Sequence, residues 1–123
     1  MQVIRATEAP TFDIPGVRFT SLASPALGSP ETCVWRLTVD AGFTSQPHTL
    51  DHDEVFVVLD GRIRLTPDGP ALGVGDTGVM SAGEPIALTN LGDGTARIHV
   101  AIRAGFIATM ADGTPVGTPP WAA

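Results

Sequence analysis

Few side chains in this chain can do chemistry, and most of them lie close together. His48, His52 and Glu54 share one parity, so an uninterrupted strand would put two imidazoles and a carboxylate on one face. That is the composition of a facial triad, which suits iron or another first-row metal. The remaining histidine, His99, shares a parity with Arg97, Ala101 and Arg103, while Ile98, Val100 and Ile102 form the apolar alternate. If the polar face points inward, His99 and an arginine could bind an anionic substrate. If the apolar face does, His99 lies outside or at a subunit contact as a hydrogen-bonded histidine, and this is the preferred reading. Cys33 lies on the apolar side of its segment with Trp35, Leu37 and Val39, so it reads as a small packed hydrophobe and not as a nucleophile.

The elements that must position these groups repeat with a period of two, the signature of half-buried strands. The alternation is clear over residues 33–40 and 62–65, and residues 54–60 (EVFVVLD) form a β-branched, aromatic run. Asp60-Gly61 between the last two runs reads as a hairpin. Pro67-Asp68-Gly69-Pro70 is a second turn, and glycine-rich turns bracket a short strand at 77–80. Gly92-Asp93-Gly94 separates 86–91 from a longer strand at 96–103. About nine or ten strands at this spacing predict an all-β sandwich or barrel. One domain, residues 1–123, is expected, with a core over about 16–110, an N-terminal arm at 1–15 and a Pro-rich tail at 111–123. Trp121 is large for a loose end and is expected to anchor the tail onto its own barrel or a neighbouring subunit. Trp35, Phe43 and Phe56 are expected in the core or in pocket walls.

Composition narrows the partners. The 123 residues carry 13 acidic side chains against 7 basic ones, a formal charge of −6, and no basic cluster. A nucleic-acid backbone or an anionic membrane surface would need such a cluster, so neither is expected. One cysteine allows no internal disulfide, and no secretion signal or membrane-length apolar run is visible, so a cytoplasmic location is expected. Arginine without lysine, with abundant Ala, Gly and Pro, suggests a GC-rich bacterial source.

Two segments give a more specific reading. Gly42-FTSQP-His48-Thr49-Leu50-DHD-Glu54-VFVVLD-Gly61 and Gly75-DTGVM-Ser81-Ala82-Gly83-EP-Ile86-ALT-Asn90 follow one another with fixed spacings. In order and spacing they resemble the two motifs of the cupin superfamily. Gly42, His48, Glu54 and Gly61 are in register with the first motif, and Gly75, Gly83 and Asn90 with the second. The resemblance implies a single jelly-roll β-barrel, a lumen that holds a metal or a small organic molecule, and a homodimer.

The departures from the motifs bear on the chemistry. In the superfamily three histidines and one glutamate or glutamine hold a divalent metal; here Leu50 and Ile86 stand where two of the histidines belong. The resemblance also implies a turn near 51–53, which would aim His52 at the barrel mouth. A metal held by His48, His52 and Glu54 (iron, zinc, nickel or manganese) therefore stays open as an alternative, with weak or absent binding preferred. Leu50 and Ile86 would make the lumen apolar, and His48 is then expected to pair with Glu54, since buried polar groups need partners. The preferred function is an isomerase, cyclase or dehydratase acting by proton transfer on a small molecule in the lumen. In it His48 moves the proton, Glu54 orients it and His52 assists near the mouth. The alternatives are a metal-dependent oxygenase or isomerase using His48, His52 and Glu54, and a non-catalytic binding module or structural dimer.

Overall fold

A computed structural model describes all 123 residues. Eleven short strands carry the chain: β1 (Thr11–Ile14), β2 (Val17–Ala23), β3 (Thr32–Val39), β4 (His48–Leu50), β5 (Glu54–Asp60), β6 (Ile63–Arg64), β7 (Thr77–Met80), β8 (Thr89–Asn90), β9 (Ala96–Arg103), β10 (Ala108–Met110) and β11 (Pro115–Gly117). The helical pieces are three single 3-10 turns, at 6–8, 25–27 and 120–122. The all-β expectation holds.

Six strands form one antiparallel sheet in the order β1-β2-β3-β9-β5-β7. Opposite it lie a three-stranded sheet, β11-β10-β4, and the β6-β8 pair. Backbone hydrogen bonds between His48 and Ile86 (2.8 and 3.1 Å) join β4 to the segment that leads into β8. The result is a flattened jelly-roll barrel with two unequal walls. On the large wall, strict alternation sends Cys33, Trp35, Leu37 and Val39 inward from β3, and Ile98, Val100 and Ile102 inward from β9. Leu50, Ile63, Leu65, Ile86, Leu88, Phe106 and Ala108 complete the same apolar cluster. This two-wall arrangement is what period-two burial produces when both sheets keep one face dry.

Three local expectations need correction. Asp60-Gly61 is not the turn of a hairpin, because β5 pairs with β7 and β9 while β6 pairs with β8. Gly61 instead takes the chain from one wall to the other at φ +83°, where a Cβ would lie 2.9 Å from that of Ala96. The N-terminal arm supplies an edge strand, since β1 pairs with β2 through the two-residue turn Pro15-Gly16. The tail also supplies a strand, β11, paired to β10, while Trp121 stacked on Phe19 anchors it to its own barrel as expected.

Asn90 shows what one motif residue does structurally. Its buried side chain donates from Nδ2 to the carbonyls of Val39, Asp40 and Gly94 at 2.9–3.1 Å, and its Oδ1 accepts from Gly92 N–H at 2.9 Å. One amide thus ties the ends of β3, β8 and the turn before β9. Asn90→Ala should cost about 2–4 kcal/mol in urea unfolding, because buried carbonyls lose their donor. A loss below about 0.5 kcal/mol, the range of ordinary surface substitutions, would show that the amide does not hold these ends together.

Candidate functional site

Alternating strands leave the middle of the barrel unfilled. A cavity of about 650 Å³ lies between the walls, and 16 of its 23 lining residues are hydrophobic. From the large sheet come Val17 and Phe19 on β2, Trp35, Leu37 and Val39 on β3, and Glu54 and Phe56 on β5. From the facing side come His48 and Leu50 on β4, Ile86, Leu88, Phe106 and Ala108. Ile14, Pro15, Thr44, Gln46 and Val116 line the cavity while being themselves exposed, which marks its mouth. Leu50, Ile86 and Phe56 therefore wall the lumen without filling it. The volume lies within the usual range for a small-molecule site.

Glu54 is 4% exposed and points into this apolar space. In the sheet it sits between Met80 of β7 and Ile102 of β9, both inward-facing and buried. Its Oε2 is buried with no hydrogen-bond partner. Desolvation disfavours the charged form, and burial pushes the carboxyl pKa up to about 8. Glu54 is therefore a neutral carboxylic acid at pH 7, able to donate as well as accept a hydrogen bond.

His48 does not pair with Glu54, contrary to the expected dyad. Its Nδ1 lies 3.0 Å from the carbonyl oxygen of Gln46 in the same segment. A carbonyl can only accept, so Nδ1 is the donor in this hydrogen bond. The local loop offered the imidazole a nearer partner than the opposite wall did. The lumen thus holds Glu54 and His48 as separate groups, not as a hydrogen-bonded pair.

His52 stands apart from both. It does not line the cavity, and its Nδ1 faces Asp51 Oδ1 at 2.9 Å on the turn between β4 and β5. That turn is fixed from outside: Asp51 Oδ1 also accepts from Ile107 N–H at 2.7 Å, and Asp53 Oδ1 accepts from Ala82 N–H at 2.8 Å. The Ile107 N–H, and after it His52, hold the Asp51 carboxyl below its ordinary pKa. The break in the strand cancels the parity argument that put His48, His52 and Glu54 on one face. His52 accordingly lies neither beside the other two nor at the mouth formed by Ile14, Thr44, Gln46 and Val116.

The same geometry decides how well the side chains fit a metal. Nowhere in the chain do three or more His, Cys, Asp or Glu side chains gather as a metal would need. Leu50 and Ile86 do sit beside His48, by strand and by bridge, so the motif positions converge as the resemblance implies. Two of those positions carry no donor atom. The residues present do not fit a tightly held metal.

His99 lies on the outer face of the large sheet, because its neighbours Ile98 and Val100 are the buried ones. Arg36 Nε donates to His99 Nε2 at 3.4 Å, and burial, with Arg36 second, lowers the pKa of the imidazole. Cys33 is fully buried, and desolvation raises its pKa; its Sγ–H donates to Ala122 O at 3.4 Å. Neither faces the lumen as a reactive group. Sequence reasoning did not separate Phe19 and Trp121 as cavity walls from ordinary packing. Trp121 could have been found only from its odd position in a Pro-rich tail.

Comparison with known proteins agrees with this fold. No curated protein matches the chain. Among solved structures, KdgF from Halomonas sp. is 19% identical with a TM-score of 0.69, covering 82% of this chain and 93% of its own. An RmlC-like cupin from Shewanella frigidimarina NCIMB 400 is 16% identical with a TM-score of 0.71, over 84% and 90% of the two chains. The polyketide cyclase RemF from Streptomyces resistomycificus is 20% identical with a TM-score of 0.69, over 84% and 79%. Likenesses at these identities show the fold. The family model described as Cupin domain matches residues 35–102, more than half of the chain and spanning both motifs, and the chain belongs to that cupin family.

Proposed function

We propose that this cupin binds a small, largely apolar carbonyl compound in its lumen and relocates a proton on it, as an isomerase or cyclase does. The observation that carries this reading is the unpartnered, proton-bearing Glu54 carboxyl inside an apolar cavity. A carboxylic acid kept neutral near pH 7 is a proton donor poised for its task, and apolar walls strengthen its hydrogen bond to a ligand oxygen.

In this scheme the substrate carbonyl oxygen accepts a hydrogen bond from Glu54. His48 Nε2 takes a proton from the adjacent carbon, the C–H electron pair moves into the carbonyl, and the oxygen receives the Glu54 proton. Imidazolium and carboxylate remain; the imidazolium then gives its proton to a different carbon of a conjugated enol while the enol O–H returns its proton to Glu54, which re-forms the carbonyl and restores both groups. Gln46 O holds the imidazole in the required tautomer throughout. His52 has no part. A polyketide cyclase among the structures of like fold is compatible with such carbonyl chemistry, though it contributes the fold alone to the argument.

The chemistry can be read without knowing the natural substrate, by following hydrogen–deuterium exchange at the carbon next to the carbonyl of 1-tetralone by NMR. Exchange should exceed that in buffer, and Glu54→Gln and His48→Ala should each lower it by about 10²–10⁴-fold. His52→Ala should leave it within about twofold. Full exchange in both Glu54→Gln and His48→Ala would overturn the mechanism.

The raised pKa of Glu54 also sets a stability window. Between the ordinary carboxyl pKa of 4.5 and about 8 the unfolded chain releases this proton while the folded chain keeps it. The contribution of Glu54 to stability is therefore full below 4.5 and is lost as pH rises towards 8. The wild type should lose stability relative to Glu54→Gln over that window, at up to about 1.4 kcal/mol per pH unit. Parallel pH profiles from urea unfolding would show instead that Glu54 ionises normally.

A further inference from the structure

Aromatic side chains are scarce in this chain, and they are gathered at one place. Of five phenylalanines and two tryptophans, six line the lumen: Phe19, Trp35, Phe43, Phe56, Phe106 and Trp121. Phe12, on β1, is the exception. General burial does not account for this segregation. The members of the apolar cluster that do not line the cavity, among them Val58, Ile63, Ile98 and Val100, include no aromatic residue. Rings are the bulkiest apolar side chains and the natural means of closing a void. In this barrel they border the void instead.

The rings come from both sides. On the large wall Trp35 and Phe56 flank Val100 in one cross-strand row, and Val100 is wholly buried and does not reach the cavity. Phe106 comes from the facing side, its ring centroid 6.0 Å from that of Trp35. Phe19 stacks on Trp121 with centroids 3.6 Å apart and planes 13° from parallel. Phe19, Phe43 and Trp121 are only half-buried, so part of each ring stays accessible. Charge is segregated in the opposite sense. None of the seven arginines lines the lumen, and its only ionisable lining side chains are His48 and Glu54. An anion entering would give up its hydration and meet no permanent cation, and the formal charge of −6 opposes its approach.

We propose that the lumen selects uncharged aromatic ring compounds, through ring walls on two sides and the exclusion of arginine. This rests on the lumen being the small-molecule site proposed above and names the class of molecule that site takes. Offset or edge-to-face contact with a ligand ring adds to the burial of apolar area, whereas a saturated ligand of the same size gains the burial alone.

The test uses two pairs of probes, followed by calorimetry at pH 7. 1-Tetralone and 1-decalone share a bicyclic ketone skeleton and differ in whether one ring is aromatic. 1-Naphthamide and 1-naphthoate share a ring system and differ in charge. The wild type should bind 1-tetralone at least about threefold tighter than 1-decalone, and 1-naphthamide at least about thirtyfold tighter than 1-naphthoate. Phe19→Leu and Phe56→Leu each keep an apolar side chain and remove a ring. Each should weaken 1-tetralone by about three- to tenfold and leave 1-decalone within about twofold. Smaller wild-type ratios would overturn the proposal, and so would variants that weaken both ketones alike or neither. Failure of the wild type to bind 1-tetralone and 1-naphthamide would do the same. The wild-type ratios stand as a test whether or not either variant folds. The proton-transfer reading fails separately: 1-tetralone bound with this preference but not exchanging deuterium would remove the mechanism and leave the selection in place.

Discussion

The Glu54 carboxyl is held inside an apolar barrel between Met80 and Ile102, with one oxygen meeting no partner. Water would solvate that group, and the fold denies it water. The remaining ways to reduce the cost are a counter-charge, a hydrogen-bond donor or retention of the proton. The chain supplies neither of the first two at this position, so the third operates and the carboxyl stays neutral. The chemistry assigned to the lumen follows from that single constraint. A neutral acid can donate to a ligand oxygen, whereas a carboxylate there would repel one.

The rest of the barrel maintains the constraint. Leu50 and Ile86 keep donor atoms away from the positions nearest His48, so no metal set forms to draw the Glu54 proton off. The Gln46 carbonyl engages His48 Nδ1 and fixes which ring nitrogen donates there. The bonds of Asp51 and Asp53 fasten the turn before β5 and set the point at which Glu54 enters the sheet. The tail closes the flank near Phe19 and adds Trp121 to the cavity wall. Each of these is a local hydrogen bond or packing contact, and together they keep a cavity of about 650 Å³ predominantly apolar.

Much of the architecture was legible in the residues. Alternation at 33–40 and 96–103 correctly gave inward faces for β3 and β9, and it placed His99 on the outer side of the sheet. The two glycine-punctuated motifs located His48, Leu50, Glu54 and Ile86 around one lumen. What failed were inferences that crossed a turn. Parity linked His52 to Glu54, but parity holds only along a continuous strand, and residues 51–53 are not one. Asp60-Gly61 looked like a hairpin, yet the chain there passes between walls, which no local pattern records. The His48–Glu54 pair failed for a different reason: a backbone carbonyl two residues away competes with a side chain on the other wall. The lining role of Trp121 depends on where a tail lands, and that is a tertiary property.

The most direct measurement of the central claim is a pH titration of the glutamate side-chain carboxyl carbons by ¹³C NMR. The chain has four glutamates, Glu8, Glu31, Glu54 and Glu84, and the spectrum of Glu54→Gln assigns the resonance of interest. The account predicts that this carboxyl is protonated at pH 7 and titrates near 8, apart from the exposed ones. A Glu54 resonance already ionised at pH 7, with its midpoint near 4.5, would contradict it and with it the proton-transfer role of the lumen.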